Sequence, residues 1–136
     1  MTPNPALYAA ALYAGLNGLI LLWLAVSVSR VRLRTGIWVG AGASRELELA
    51  MRGQANFVEY VPFCLLLMLI IAGFGAPLLV MHALGIVLTV GRILHGLHFA
   101  RADAPVWLRQ VGASATWLVL LLASLSAIGD AIWGML

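Results

Sequence analysis

The chain has 136 residues, of which 63% are hydrophobic and 10% are charged, and its mean hydropathy is +1.03. A soluble domain carries charge on about a quarter of its residues, so this composition excludes a soluble globular protein and indicates an integral membrane protein. The net charge of +3 does not indicate nucleic acid binding, because the chain has no basic face with interleaved aromatic residues.

Four long apolar segments predict four membrane-spanning helices, since one span needs about 20 mostly apolar residues. In chain order the predicted helices cover residues 5–30, 46–73, 77–100 and 105–133. Asn4 and Pro5 are suited to the N-cap and the first position of the first helix. Gly73 and Pro77 delimit a tight hairpin between the second and third helices. We therefore predict that residues 1–136 form a single all-α domain, an integral membrane four-helix bundle.

All eight basic residues are arginines, and they cluster around two of the three connections. Those near the first connection are Arg30, Arg32, Arg34, Arg45 and Arg52, and those near the third are Arg92, Arg101 and Arg109. The positive-inside rule then places both connections in the cytoplasm and both termini on the opposite side of a bacterial inner membrane. Because arginine binds carboxylates and phosphates through paired hydrogen bonds, the clusters also suggest an anionic ligand.

The second helix carries a polar stripe. Arg52, Asn56, Glu59 and Tyr60 are spaced so that they share one helical face. Glu59 lies about 10 Å beyond Arg52 along the axis, at a depth where a carboxylate must face a partner or a wet cavity. Two interpretations follow from the stripe. One is a structural network in which an arginine neutralises Glu59, and the other is a binding site for a zwitterionic, peptide-like ligand.

The third helix has a second stripe, in which Arg92, His95 and Phe99 share a face while His98 points elsewhere. No cysteine or acidic residue accompanies the two histidines at a suitable spacing, so we predict no metal site. Arg109 lies one turn into the fourth helix. Its position suits a residue that anchors the helix at the membrane surface as well as it suits a catalytic residue.

Four segments together resemble one known family. They are Val31-Arg32-Leu33-Arg34, Arg52-x-x-x-Asn56-x-x-Glu59-Tyr60-x-Pro62-Phe63, Gly91-Arg92-x-x-His95 and Arg109-x-x-Gly112. The chain is similar in these segments to the MAPEG family, the membrane-associated proteins in eicosanoid and glutathione metabolism. The third segment looks like that of the microsomal prostaglandin E synthase branch, and the fourth is similar to bacterial members. The resemblance extends over essentially the whole chain.

The resemblance implies a homotrimer that binds glutathione between adjacent subunits near the cytoplasmic side. It implies that Arg109 is the catalytic arginine that holds the glutathione thiolate. The glutathione-binding residues that it implies are Arg32, Arg52, Asn56, Glu59, Tyr60, Arg92 and His95, with Arg30 or Arg34 as alternatives to Arg32. Phe99 departs from the pattern, because the family usually has a glutathione-contacting tyrosine there.

From this resemblance we expect a membrane-bound glutathione transferase that detoxifies lipophilic electrophiles, with glutathione as co-substrate and membrane lipid as its surroundings. Peroxidase activity toward lipid hydroperoxides would use the same site, whereas a bacterial-looking chain gives little reason to expect a glutathione-dependent isomerase of eicosanoids. The alternative is a non-catalytic, lipid-binding member of the family, an interpretation that Phe99 keeps open. A further alternative is a structural or ion-handling membrane protein in which Glu59 relays protons, but it leaves the clustered arginines without a ligand.

Overall fold

Four α-helices make up most of the chain in the computed structural model, which describes residues 4–101 and 103–136. They are α1 (Pro5–Thr35), α2 (Arg45–Gly73), α3 (Leu78–Phe99) and α4 (Val106–Met135). Each helix is long and apolar enough to cross a membrane. The prediction of an all-α chain with four membrane-spanning helices is therefore confirmed.

The first helix is longer than the sequence pattern predicted. It continues from residue 30 to Thr35, because Val31 remains buried in a small cluster with Leu47 of α2. The helix ends at Gly36, which has a left-handed φ of 70° and donates its backbone N–H to the carbonyl oxygen of Arg32. The arginines of this region consequently lie on the last turns of a helix and not in a loop. The other predicted helix ends differ from the observed ones by two residues at most.

Side-chain hydrogen bonds cap the N-terminal ends of α1 and α2. Asn4 accepts the N–H of Ala6 at 3.0 Å, and its amide donates to the carbonyl oxygen of Ala72 at 3.0 Å. The start of α1 is thereby tied to the end of α2. Ser44 caps α2 by accepting the N–H of Leu47 at 3.2 Å.

The helices are arranged so that α1 and α4 lie at opposite corners of the bundle. Within the described residues α1 packs on α2 and α3, α4 packs on the same two helices, and α1 does not contact α4. Fully buried apolar side chains, among them Met68, Ile71, Met81 and Leu88, fill the space between the helices. Each connection reverses the direction of the chain across the membrane, so α2 and α4 run in the same direction and α3 runs in the opposite one. Their starts therefore lie at the same end of the bundle.

Close contact between α3 and α4 depends on glycine. A Cβ atom on Gly112 would lie 2.5 Å from the carbonyl oxygen of Gly91 and 2.9 Å from the backbone nitrogen of His95. These neighbours are backbone atoms, which cannot rotate away as a side chain can. Gly112 thus allows α4 to lie directly against α3, one turn after Arg109.

Candidate functional site

A cavity of about 560 Å³ opens between α2 and α4, with the end of α3 at its back. Polar side chains from all three helices line it. The lining includes Arg45, Glu48, Arg52, Asn56, Glu59, His95, Phe99, Arg109, Gln110 and Trp117. The cavity therefore combines several charges of both signs with aromatic and apolar surface.

Helical periodicity explains the α2 wall of the cavity. Its lining residues recur every three or four positions, so they project from one face, while Phe57 and Val61 point from the same helix into the core. Arg45 and Arg52 lie near the start of the helix and Glu59 lies deeper. The wall thus changes along its length from a basic end toward a deeper carboxylate.

The α4 wall follows the same direction. Arg109, Ala113 and Trp117 are spaced by four residues and line the cavity in that order. Trp117 lies about 12 Å deeper than Arg109 at 1.5 Å per residue. The ring of His98 is 3.1 Å from the carbonyl oxygen of Pro105, to which it can donate. This contact joins the end of α3 to the start of α4 and helps to position the turn that carries Arg109.

A buried arginine lies behind the cavity. Arg92 is 1% exposed, and its Nη1 donates to Asn56 Oδ1 at 3.1 Å and to Thr116 Oγ1 at 3.3 Å. Its Nη2 lies 3.4 Å from Nδ1 of His95, and its guanidinium lies 5.3 Å from the centre of the Phe57 ring. Arg92 therefore supports two residues that line the cavity, and it does not line the cavity itself.

Of the eight site residues that the resemblance implied, five line this cavity in a single protomer. They are Arg52, Asn56, Glu59, His95 and Arg109. Arg92 contacts two of them from behind, as described above. Tyr60 is half-buried outside the cavity lining. Arg32 also lies outside it, and its guanidinium donates to backbone carbonyls of the loop between α1 and α2.

The charges of the cavity are not neutralised by one another. Between described residues, the one ion pair within 4 Å joins Arg34 to Glu46, which are both exposed and lie outside the cavity. The structural interpretation of the α2 stripe has an arginine of a neighbouring helix neutralise Glu59. No such pair forms within the part of the chain that the structure describes. The charged groups of the cavity thus remain available to a ligand or to another subunit.

Several side chains of the candidate site were not predicted from the sequence. Arg45 and Glu48 extend the α2 stripe backward at the same helical spacing, so a longer window of periodicity would have found them. Trp117 lies on the same face of α4 as Arg109, but the sequence does not distinguish a tryptophan that lines a site from one that only packs in an apolar helix. Thr116 was missed as well, because only the packing of α3 against α4 brings its hydroxyl to Arg92.

The support that Thr116 gives to Arg92 can be tested with an isosteric change. In Thr116→Val, Nη1 of the buried Arg92 loses one of its two acceptors, so we expect the free energy of unfolding to fall by about 1–2 kcal/mol. Thermal unfolding of the detergent-solubilised protein measures this loss. Thr116→Ser keeps the hydroxyl and is expected to stay closer to wild type. Equal stability of the valine and serine variants would contradict a role for this hydrogen bond.

Comparisons with known proteins agree with this architecture. The sequence pattern of the MAPEG family matches residues 10–129. Two proteins named Inner membrane protein YecN, from Escherichia coli strains K12 and CFT073, are each 38% identical to the chain over 126 residues. The match covers 91% of this chain and 93% of each relative. With its four membrane-spanning helices, the chain is a multi-pass protein of the inner membrane.

Proposed function

This chain belongs to the MAPEG family, and on that basis we propose that it is a glutathione transferase that acts on lipophilic electrophiles. The observation that carries the proposal is the cavity between α2 and α4, in which Arg52, Asn56 and Glu59 face Arg109. A volume of about 560 Å³ lies within the range of small-molecule sites. Two helices far apart in sequence, α2 with three of these residues and α4 with the fourth, thus contribute to one cavity of suitable size.

The charges of the cavity complement those of glutathione. The ligand has two carboxylates, one ammonium group, two amides and a thiol. Arg45 and Arg52 supply guanidinium groups for the carboxylates, and Glu59 supplies a carboxylate for the ammonium group. Asn56 accepts from Arg92 through its oxygen, which leaves its amide N–H groups free to donate to a peptide carbonyl. Both charge signs are used, as a zwitterionic ligand requires.

In the proposed reaction the thiol of glutathione first loses its proton to solvent. A free thiol has a pKa of about 8.5, and a nearby cation favours the thiolate. Arg109 is the candidate for that cation, and it acts electrostatically because a guanidinium does not give up its proton at neutral pH. The thiolate then attacks an electrophilic carbon of the substrate. The carbon–sulfur bond forms as the bond to the leaving group breaks, and the leaving group takes the electron pair.

The same site can serve a peroxidase reaction toward lipid hydroperoxides. The thiolate would attack the terminal peroxide oxygen, which releases the lipid alcohol and forms a sulfenic acid of glutathione. A second glutathione would then give the disulfide and water. Trp117 lies at the deeper end of the cavity and is 57% exposed, so it offers aromatic surface to the lipophilic part of either kind of substrate.

We further propose that the functional unit is a homotrimer, as the family resemblance implies. Arg52 and Glu59 are exposed on the surface of one protomer, although both lie on a membrane-spanning helix. Exposure of such groups to lipid is costly, which favours an arrangement in which a neighbouring copy covers them. Ala14 and Gly18 leave a small-residue surface on α1 that suits close helix contact in a membrane. The two loops that the arginines flank would face the cytoplasm.

The proposal is tested by measuring glutathione binding to the purified protein by calorimetry, together with the ultraviolet absorbance of the thiolate at neutral pH. We expect saturable binding with a thiolate signal. S-methylglutathione should compete for the site without giving that signal, whereas inorganic phosphate should not compete. Binding without thiolate would favour the non-catalytic, carrier-like alternative. Absence of glutathione binding would contradict the proposal.

A further inference from the structure

Arg32 makes an unusual set of contacts at the junction of α1, the following loop and α2. Its Nη1 donates to the carbonyl oxygen of Ile37 at 2.9 Å and to that of Gly40 at 3.1 Å. Its Nη2 lies 3.3 Å from Sδ of Met51 on α2. One side chain therefore connects the end of the first helix, two points of the loop and the second helix.

The loop of residues 36–44 is folded against the protein at this junction. Ile37 packs into the cluster that contains Val31 and Leu47, whereas Trp38 and Val39 point outward and are 67% and 89% exposed. Loop carbonyl groups that are not paired in a helix need another partner or water. Arg32 supplies that partner to two of them and so selects one conformation of the loop.

The loop leads directly into the basic end of the candidate site. Its last residue, Ser44, is the N-cap of α2. The first two turns after it carry Arg45, Glu48 and Arg52, which line the cavity. A change in the loop conformation would therefore shift the cap and the direction of these side chains. Met51, which Arg32 also contacts, lies in the same part of α2.

We propose that Arg32 is a positioning residue. It holds the loop between α1 and α2 in one conformation and thereby positions the side chains at the basic end of the cavity of its own protomer. This role does not require Arg32 to touch the ligand. The effect on the loop is independent of the proposed glutathione transferase function. The effect on ligand affinity rests on that function.

The geometry requires arginine and not only a positive charge. The two terminal nitrogens of a guanidinium lie in one plane, so one can bond the loop while the other reaches α2. A lysine has a single nitrogen at the end of a flexible stem. Arg32→Lys therefore keeps the charge that membrane topology needs but loses part of the connection between loop and helix.

The loop is tested by chymotrypsin cleavage at Trp38 in the full-length protein in detergent, without glutathione. Cleavage requires local opening, and its rate rises as the native contacts of the loop are removed. We expect Arg32→Ala to be cut at least about tenfold faster than wild type, because a charged donor to two carbonyls is lost. Arg32→Lys should lie between the two. Arg101→Ala is the control, since Arg101 is an exposed arginine that lies outside the cavity and has no bond to the loop within the described residues.

Glutathione affinity of the same variants separates the possible roles. If Arg32 positions the basic end of the cavity, the variant that is cleaved faster should also bind glutathione more weakly. Arg32→Ala should therefore lose more affinity than Arg32→Lys. Weaker binding with unchanged cleavage would overturn the proposal and indicate direct contact with the ligand. Unchanged cleavage in both Arg32 variants would also overturn it, whatever the affinity. If the wild type does not bind glutathione, the proposed function fails, and the cleavage rates alone still decide the role of Arg32 in the loop.

Discussion

Replacing Arg109 with alanine is expected to lower kcat for glutathione conjugation by about 100-fold. Removal of one group that stabilises a developing negative charge lowers kcat by about this factor in other enzymes. Arg109 is the cation that α4 brings to the cavity, opposite the polar stripe of α2. Without it, the pKa of bound thiol should move back toward about 8.5, so the thiolate absorbance at pH 7 should fall by about tenfold. The dissociation constant should change less, because Arg45 and Arg52 still face the ligand carboxylates.

Two further variants make this result specific. Arg109→Lys keeps a cation but not the guanidinium geometry, so we expect partial thiolate formation. Arg101→Ala removes an exposed arginine that lies outside the cavity and serves as a control for net charge. Its thiolate signal should equal that of wild type. If Arg109→Ala formed thiolate and turned over substrate normally, the role assigned to this arginine would be wrong.

Gly112→Ala is expected to lower the free energy of unfolding by about 3 kcal/mol, near the upper end of the usual cost of overpacking. The added methyl group would lie 2.5 Å from the carbonyl oxygen of Gly91 and 2.7 Å from Cβ of His95. Because the obstruction includes backbone, α3 and α4 must move apart. That movement would weaken the Arg92–Thr116 hydrogen bond and shift Arg109 relative to His95. Thermal unfolding and glutathione affinity should therefore both be impaired.

Gly129 offers a matched control on the same helix. A Cβ atom built there has no neighbour within 4 Å in the protomer. Gly129→Ala should therefore leave stability unchanged or raise it slightly, since alanine is the better helix former. If both variants unfolded at the same temperature, Gly112 would not be the point at which α3 and α4 are held together.

Properties that depend on the local sequence could be predicted from it. Apolar length defined the four spans, and Asn4 and Pro5 marked the start of α1, because hydrophobicity and capping act within a few residues. The stripe of Arg52, Asn56 and Glu59 followed from 3.6 residues per turn. The family resemblance added Arg109, a residue that the pattern alone left between a surface anchor and a catalytic role.

Properties that depend on neighbouring helices could not be predicted in this way. Packing places Arg92 behind the cavity of the protomer, bonded to Asn56 and Thr116, and neither bond follows from helical spacing. Arg32 bonds the carbonyl groups of its own loop, which only the fold reveals, while its contact with glutathione stays a prediction. Helical spacing states only which residues share a face. What that face meets depends on the rotation and approach of the other helices, which the close contact at Gly112 helps to set.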